Sequence, residues 1–133
     1  MKDLSSLYTD DYFVLRHVND LKRLASFELE RVFVKRFVDS MGVVCDVGCS
    51  TGEFLTAINW NGQKYGMEIN EEAIKLAEET GVLFNKIIFT EENYFDAVIF
   101  RGTIQHLPDS FGYIAAAQKS LKPGGKIIFL ATP

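Results

Sequence analysis

The chain has 133 residues, 47% of them hydrophobic and 24% charged, with a net charge of −4 at pH 7. That length supplies one domain with one modest core, and the composition is globular rather than disordered or fibrous. No apolar run approaches the roughly 20 residues that cross a bilayer, and the negative balance lies wholly in residues 41–133, which argues against non-specific nucleic-acid binding.

Taken in chain order, the first element is a helix capped by Asn19 or Asp20 and running to about Val38. Leu21, Leu24, Ala25, Leu29, Val32, Phe33 and Phe37 follow three-and-four spacing and predict one apolar stripe facing the core. Met41-Gly42 ends the helix, and Val43–Val47 is a short β-branched run that reads as a buried strand. Gly48-Cys49-Ser50-Thr51-Gly52 is a turn, followed by a helix over Glu53–Trp60. Lys64–Ile69 is the next strand, and Asn70 caps a helix whose first turn holds Glu71 and Glu72. Gly81 is placed as its left-handed terminator, and a third strand begins near Val82. Gly81–Tyr94 is short, which implies a helix missing from one face. Phe95–Phe100 is a nearly continuous apolar strand; Pro108-Asp109 opens a helix to about Leu121, and Lys122-Pro123-Gly124-Gly125 turns into the strand Lys126–Leu130. Strands alternating with helices specify βαβ units and a parallel sheet covered on both faces, a doubly wound α/β fold in three layers. Cys45 and Cys49 are too close together to staple it and have no third or fourth partner for zinc. They read as small buried residues in a reduced, cytoplasmic compartment, and no metal is expected.

In such sheets ligands bind beyond the carboxyl ends of the strands, where the strand order reverses. The first strand delivers Asp46 and then the Gly48–Gly52 loop, whose two glycines let the backbone turn sharply and a ligand approach it. Amides at the start of the following helix favour an anion. One acid and a set of donors suit an amino-acid moiety, with its ammonium and carboxylate; a pyrophosphate would be repelled by Asp46. The second strand ends at Glu68, 22 residues after Asp46, where an acid accepts hydrogen bonds from a ribose diol. Ile69 beside it can pack on an adenine face. Amino acid and ribose together describe S-adenosyl-L-methionine.

Asp46–Gly52 resembles motif I of the class I S-adenosylmethionine-dependent methyltransferases, acid-x-Gly-x-Gly-x-Gly, with Ser50 at the usual middle glycine. That exchange is tolerable if position 50 avoids positive φ. Phe95–Gly102 resembles the family's fourth-strand motif, whose end, here Arg101 and Gly102, touches the methionine part. Ile104–Asp109 is similar to the stretch that follows it in small-molecule methyltransferases, and Leu121–Gly125 to the turn before the fifth strand. The resemblance covers residues 43–133 in order. It implies a Rossmann-like core over 41–133 behind an N-terminal arm and helix over 1–40, with about five parallel strands ordered 3-2-1-4-5 and the family's C-terminal hairpin missing. It further implies methyl transfer to a small-molecule, glycan or lipid-like acceptor. Asp46, Gly48, Cys49, Ser50, Gly52, Glu68, Ile69, Asn85, Arg101 and Gly102 then fall on the cofactor. Asn85, with Glu91 and Glu92 behind it, stands in for the acid that usually holds the adenine amino group. His106 is the candidate catalytic group, able to orient the acceptor or take its proton. Tyr8–Arg16 is similar to the arm of family members that act on glycans, lipids or quinone-like molecules, with Tyr12 and Arg16 as candidate contacts to substrate.

Two alternatives stand beside this reading. One is a cofactor-binding or interaction module without catalysis, completed by a partner or by a second copy through an uncovered sheet edge. The other is a nicotinamide-dependent oxidoreductase, for which Gly48–Gly52 lacks the second glycine of Gly-x-Gly-x-x-Gly and carries Asp46 beside it.

Overall fold

A computed structural model describes residues 10–131 of the chain, with side chains from residue 21 onward. Helix α1 spans Asp10–Phe37, β1 Val44–Val47, α2 Glu53–Ala57, β2 Lys64–Met67 and α3 Glu71–Glu79. Strand β3 (Phe95–Arg101), a 3₁₀ turn (Ile104–His106), α4 (Ser110–Ser120) and β4 (Leu121–Leu130) complete the described part. The four strands form one parallel sheet in the order β2-β1-β3-β4. The expected third strand is a single parallel bridge, Leu83 beside Tyr65 on the outer side of β2. With Leu83 counted, the order is the expected one. Residues 84–94 form turns without a helix, as their brevity implied.

The two central strands, β1 and β3, are buried on both faces, and their side chains alternate between two apolar layers. Val44, Ala97, Ile99 and Ile128 point towards α1, α2 and α3, where Val34, Phe54, Leu55 and Ile58 meet them. Cys45, Val47, Val98 and Phe100 point to the opposite side, where Ala117 of α4 and Tyr65, Ile88 and Phe95 lie. The helix caps follow the sequence. Asn70 accepts a hydrogen bond from the Ala73 amide at 3.0 Å and Asp109 from the Gly112 amide at 3.0 Å. Gly81 closes α3 at φ +93°, in the left-handed region. No helix among the described residues is long and apolar enough to cross a membrane.

Helix α1 departs from expectation twice. It begins at Asp10, well before Asn19, and the face it buries is not the predicted stripe. Phe27, Glu30, Val34 and Val38 pack inward, whereas Leu21, Leu24, Leu29, Val32, Phe33 and Phe37 are each more than two-fifths exposed and Ala25 is exposed with them. Apolar residues lie around most of the helix, so spacing alone could not select the buried side. Glu30 decides it, because a charged group rarely enters a core unless a partner awaits it, and here Arg101 does.

This assignment of faces predicts that Val34→Ala lowers unfolding free energy by about 2 kcal/mol, from two lost buried methyl groups and the space they leave. Leu29→Ala on the opposite face changes it by less than about 0.5 kcal/mol. Urea denaturation of both variants checks the orientation of α1.

Candidate functional site

The sheet's order reverses between β1 and β3, so a crevice opens beyond their carboxyl ends. Alternation along the strands sends Asp46 of β1, Arg101 at the end of β3 and Glu68 just past β2 towards the α1–α2 side of it. The sequence thus fixes which acids and cations share the opening. A cleft of about 270 Å³ results, lined by Asp46, the Gly48–Thr51 loop, Phe54 and Arg101, and walled by Arg23 and Phe27 of α1. A larger, shallower depression of about 460 Å³ between α2 and α3 is mostly apolar and lies outside the crevice.

Asp46 lies at the floor of the cleft. It is 2% exposed, and its Oδ1 is buried without a hydrogen-bond partner. Burial pushes its carboxyl up from 3.8 to about 7, the Arg101 guanidinium draws it partly back, and Glu30 and Glu68 add to the rise. An unpartnered buried acceptor is costly, so this oxygen is a receptor for a donor, best a cation. The neighbouring thiols are poor nucleophiles. Burial and the adjacent Asp46 push Cys49 up to about 12 and Cys45 higher still. Both are buried and unpaired, the small interior residues the sequence indicated.

The loop over Asp46 has three residues in the left-handed region: Gly48 at φ +79°, Ser50 at +50° and Gly52 at +77°. Gly48 is required twice over, since a Cβ there would come within 2.6 Å of Thr103 Cγ2. Thr103 in turn donates its hydroxyl to Val47 O at 3.1 Å and fastens the β3 end across the β1 end. Ser50 does not avoid positive φ, which corrects the condition set for it; it stands in the left-handed region that glycine enters freely. Its strained amide donates to Glu68 Oε1 at 3.0 Å. Glu68 Oε2 accepts from the amides of Ile69 and Asn70 at 2.9 and 3.0 Å. Oε2 is filled by its two amide donors, whereas Oε1 accepts only one and keeps acceptor capacity that a ribose hydroxyl can use. Ile69 stands 96% exposed beside them.

Arg101 lines the cleft, with its guanidinium engaged within the chain. It donates from Nε to Glu30 Oε2 at 2.6 Å and from Nη2 to Glu30 Oε1 at 3.2 Å, and it lies 4.8 and 5.3 Å from the ring centroids of Phe27 and Phe54. A forked ion pair between two aromatic rings fixes the guanidinium as a strut between α1 and β3. Gly102, at φ +65°, turns the chain beyond it. The anion-favouring helix start is also weaker than expected, since α2 has five residues and begins with an acid, Glu53. Asn85 is exposed two residues beyond the Leu83 bridge, while Glu91 pairs with Lys86 at 3.4 Å and Glu92 with Lys119 at 3.1 Å. His106 is exposed in the 3₁₀ turn after β3. The side chains of Tyr12 and Arg16 lie outside the described residues. Glu30, Phe27 and Arg23 lie outside the residues that the sequence singles out, because the apolar stripe orients α1 with another face inward.

This fold and loop define a class of nucleoside-cofactor-binding α/β proteins, and comparison with known proteins narrows it. A family model described as a methyltransferase domain matches residues 14–133, and the chain belongs to that family. Membership implies S-adenosyl-L-methionine as the cofactor. Demethylmenaquinone methyltransferase of Staphylococcus aureus (strain JH9) is 26% identical over 130 residues, covering 84% of this chain and 54% of that protein. The chain therefore spans about half the length of the curated relatives it matches. A Pyrococcus horikoshii OT3 protein of known structure superposes with a TM-score of 0.67 at 26% identity, over 84% of this chain and 57% of that one. The [4+2]-cyclase SpnF shares the fold, with a TM-score of 0.63 at 20% identity over 74% of this chain and 42% of that one.

Two stability measurements test the site. The folded state holds the Asp46 proton up to about pH 7, while the unfolded chain releases it near its ordinary 3.8. Between those values the folded state binds more protons, so this group's contribution falls as pH rises and stays low above 7. Asp46→Asn does not titrate and is expected to gain stability over the native chain at pH 8 relative to pH 4; an equal difference at both pH values contradicts the burial. Ser50→Gly removes left-handed strain of about 1–3 kcal/mol against an entropic cost of about 0.5–1 kcal/mol. A net gain of about 1 kcal/mol is expected in denaturant unfolding.

Proposed function

We propose that the chain binds S-adenosylmethionine in the cleft over Asp46 and transfers its methyl group to a small-molecule acceptor. The observation that carries this reading is the buried, unpartnered Asp46 Oδ1 at the end of β1, tied through the Ser50 amide to Glu68 at the end of β2. Asp46 takes the ammonium of the methionine part. Glu68 takes the ribose hydroxyls, Ile69 covers one adenine face, and Asn85 lies at the adenine edge. Gly48, Cys49, Ser50, Gly52 and Gly102 supply backbone that a ligand can approach closely. A resident Asp46 proton is displaced as the ammonium arrives, because a cation against the carboxylate favours its ionised form.

The cofactor supplies a methyl group already activated on a sulfonium. What remains for the protein is to hold the acceptor in line with it and exclude water. That division explains why the cleft carries no nucleophile–base pair among the described residues. His106, exposed beyond β3, is the proposed group for orienting the acceptor or taking its proton. On that side Ile104, Leu107 and Tyr113 are partly buried against the core, and Tyr113 meets Phe89 edge-on at 4.8 Å. This apolar and aromatic surface suits a ring-bearing acceptor, and the demethylmenaquinone-methylating relative supports a quinone-like one. Binding and turnover are measured separately, because a cofactor-binding module without catalysis of its own would show the first alone.

Calorimetry is expected to show S-adenosylmethionine binding that Glu68→Gln weakens about 10- to 100-fold, the loss for a charge-assisted diol contact. Release of S-adenosylhomocysteine with demethylmenaquinone and simpler quinols as acceptors measures turnover. Binding without release on any acceptor selects the module, and binding of NADH in its place overturns the reading.

A further inference from the structure

We infer that Glu30 of α1 is a positioning residue for the cofactor site: it holds Arg101 off Asp46 and so reserves that carboxylate for the ligand's ammonium. The inference rests on the cleft being the S-adenosylmethionine site. Asp46 and Arg101 line the same cleft, and a carboxylate beside a guanidinium ordinarily closes into an ion pair. Here it does not. Asp46 Oδ1 is buried without a hydrogen-bond partner, while both hydrogen bonds of the Arg101 fork go to the two oxygens of Glu30. Glu30 is itself held in place. It is 8% exposed on the inward face of α1, and Ser26 Oγ donates to its Oε1 at 3.1 Å. The rings of Phe27 and Phe54 fix the guanidinium on the Glu30 side.

A buried ion pair is weak evidence of a stabilising role, because replacing both partners together is often neutral. Charge placement accounts for this one. The charged groups facing Asp46 are Arg101 at the end of β3, Glu30 on α1 and Glu68 past β2, with the thiols of Cys45 and Cys49 beside it in the chain. Arg23 of α1 and Glu53 of α2 pair at 3.1 Å at the rim of the opening. Arg101 draws Asp46 towards its ionised form and Glu30 opposes it. With Arg101 neutralised by Glu30, an ionised Asp46 leaves one uncompensated negative charge at the floor. A proton cancels that charge in the empty cleft. In the filled cleft the ammonium cancels it, and the proton passes to the buffer. An arginine turned onto Asp46 would neutralise the floor without a ligand and repel the incoming ammonium.

Calorimetry of S-adenosylmethionine binding in buffers of different ionisation enthalpy reads both the affinity and the protons released. The native chain is expected to release most of a proton at pH 6 and about half of one at pH 7. Glu30→Gln lets Arg101 close on Asp46, so affinity falls about 10-fold and the release at pH 6 drops to near zero. The double variant Glu30→Gln/Arg101→Gln removes both charges and strands neither, which preserves the fold. It is expected to recover most of the affinity and to release more of a proton at pH 7 than the native chain, because Arg101 pulls on Asp46 more than Glu30 pushes. A single variant that binds and releases like the native chain overturns the role of Glu30 while the site stands. So does a double variant that recovers no affinity or releases less at pH 7. A native chain that does not bind the cofactor overturns the site itself.

Discussion

A carboxylate driven into a protein interior must be neutralised or met by a partner, because water is no longer there to solvate it. Asp46 is such a group. It sits on the central strand, 2% exposed, with one oxygen unpartnered. Its neighbours are arranged around this constraint. Arg101 lies near enough to draw the carboxyl's pKa down but spends its hydrogen bonds on Glu30. The Gly48–Gly52 loop arches over it in a left-handed path, and Thr103 fastens that loop to the end of β3. The remaining demand of the carboxylate is for a donor from outside the chain.

The second organising feature is the connection between neighbouring strand ends. Glu68 accepts from the two amides that follow it in the turn after β2 and from Ser50 on the loop of β1, so it links the two sides of the opening. Ser50 keeps a backbone conformation that glycine adopts without strain, and the bond to Glu68 offsets part of that cost. This bond, beside those from the Gly48 and Cys49 amides to Met67 O at 2.8 and 3.2 Å, holds the ends of β1 and β2 at a fixed separation.

Much of this was legible in the residues. The apolar runs Val43–Val47 and Phe95–Phe100, with the turn and cap signals around them, specified a parallel sheet, and the family resemblance its order. The spacing of Asp46 and Glu68 located the opening. What could not be read depended on which way α1 turned. Leu21, Leu24, Leu29, Val32, Phe33 and Phe37 form a stripe that satisfies helical spacing as well as Phe27, Val34 and Val38 do, and the burial of Glu30 against Arg101 is a tertiary event with no local signature. The third strand failed for a related reason. The run after Gly81 contains two bridge bonds with Lys64 and Gly66 and then leaves the sheet, because residues 84–94 turn directly back towards β3.

The central claim is that the floor of this cleft receives an ammonium group while Glu68 receives a ribose. A crystal structure of the chain with S-adenosylhomocysteine tests it most directly. The account predicts the amino group over Asp46 Oδ1, directly or through one water, and the two ribose hydroxyls on the Glu68 carboxylate. A ligand seated in the shallow depression between α2 and α3, or one whose ribose turns away from Glu68, would contradict it.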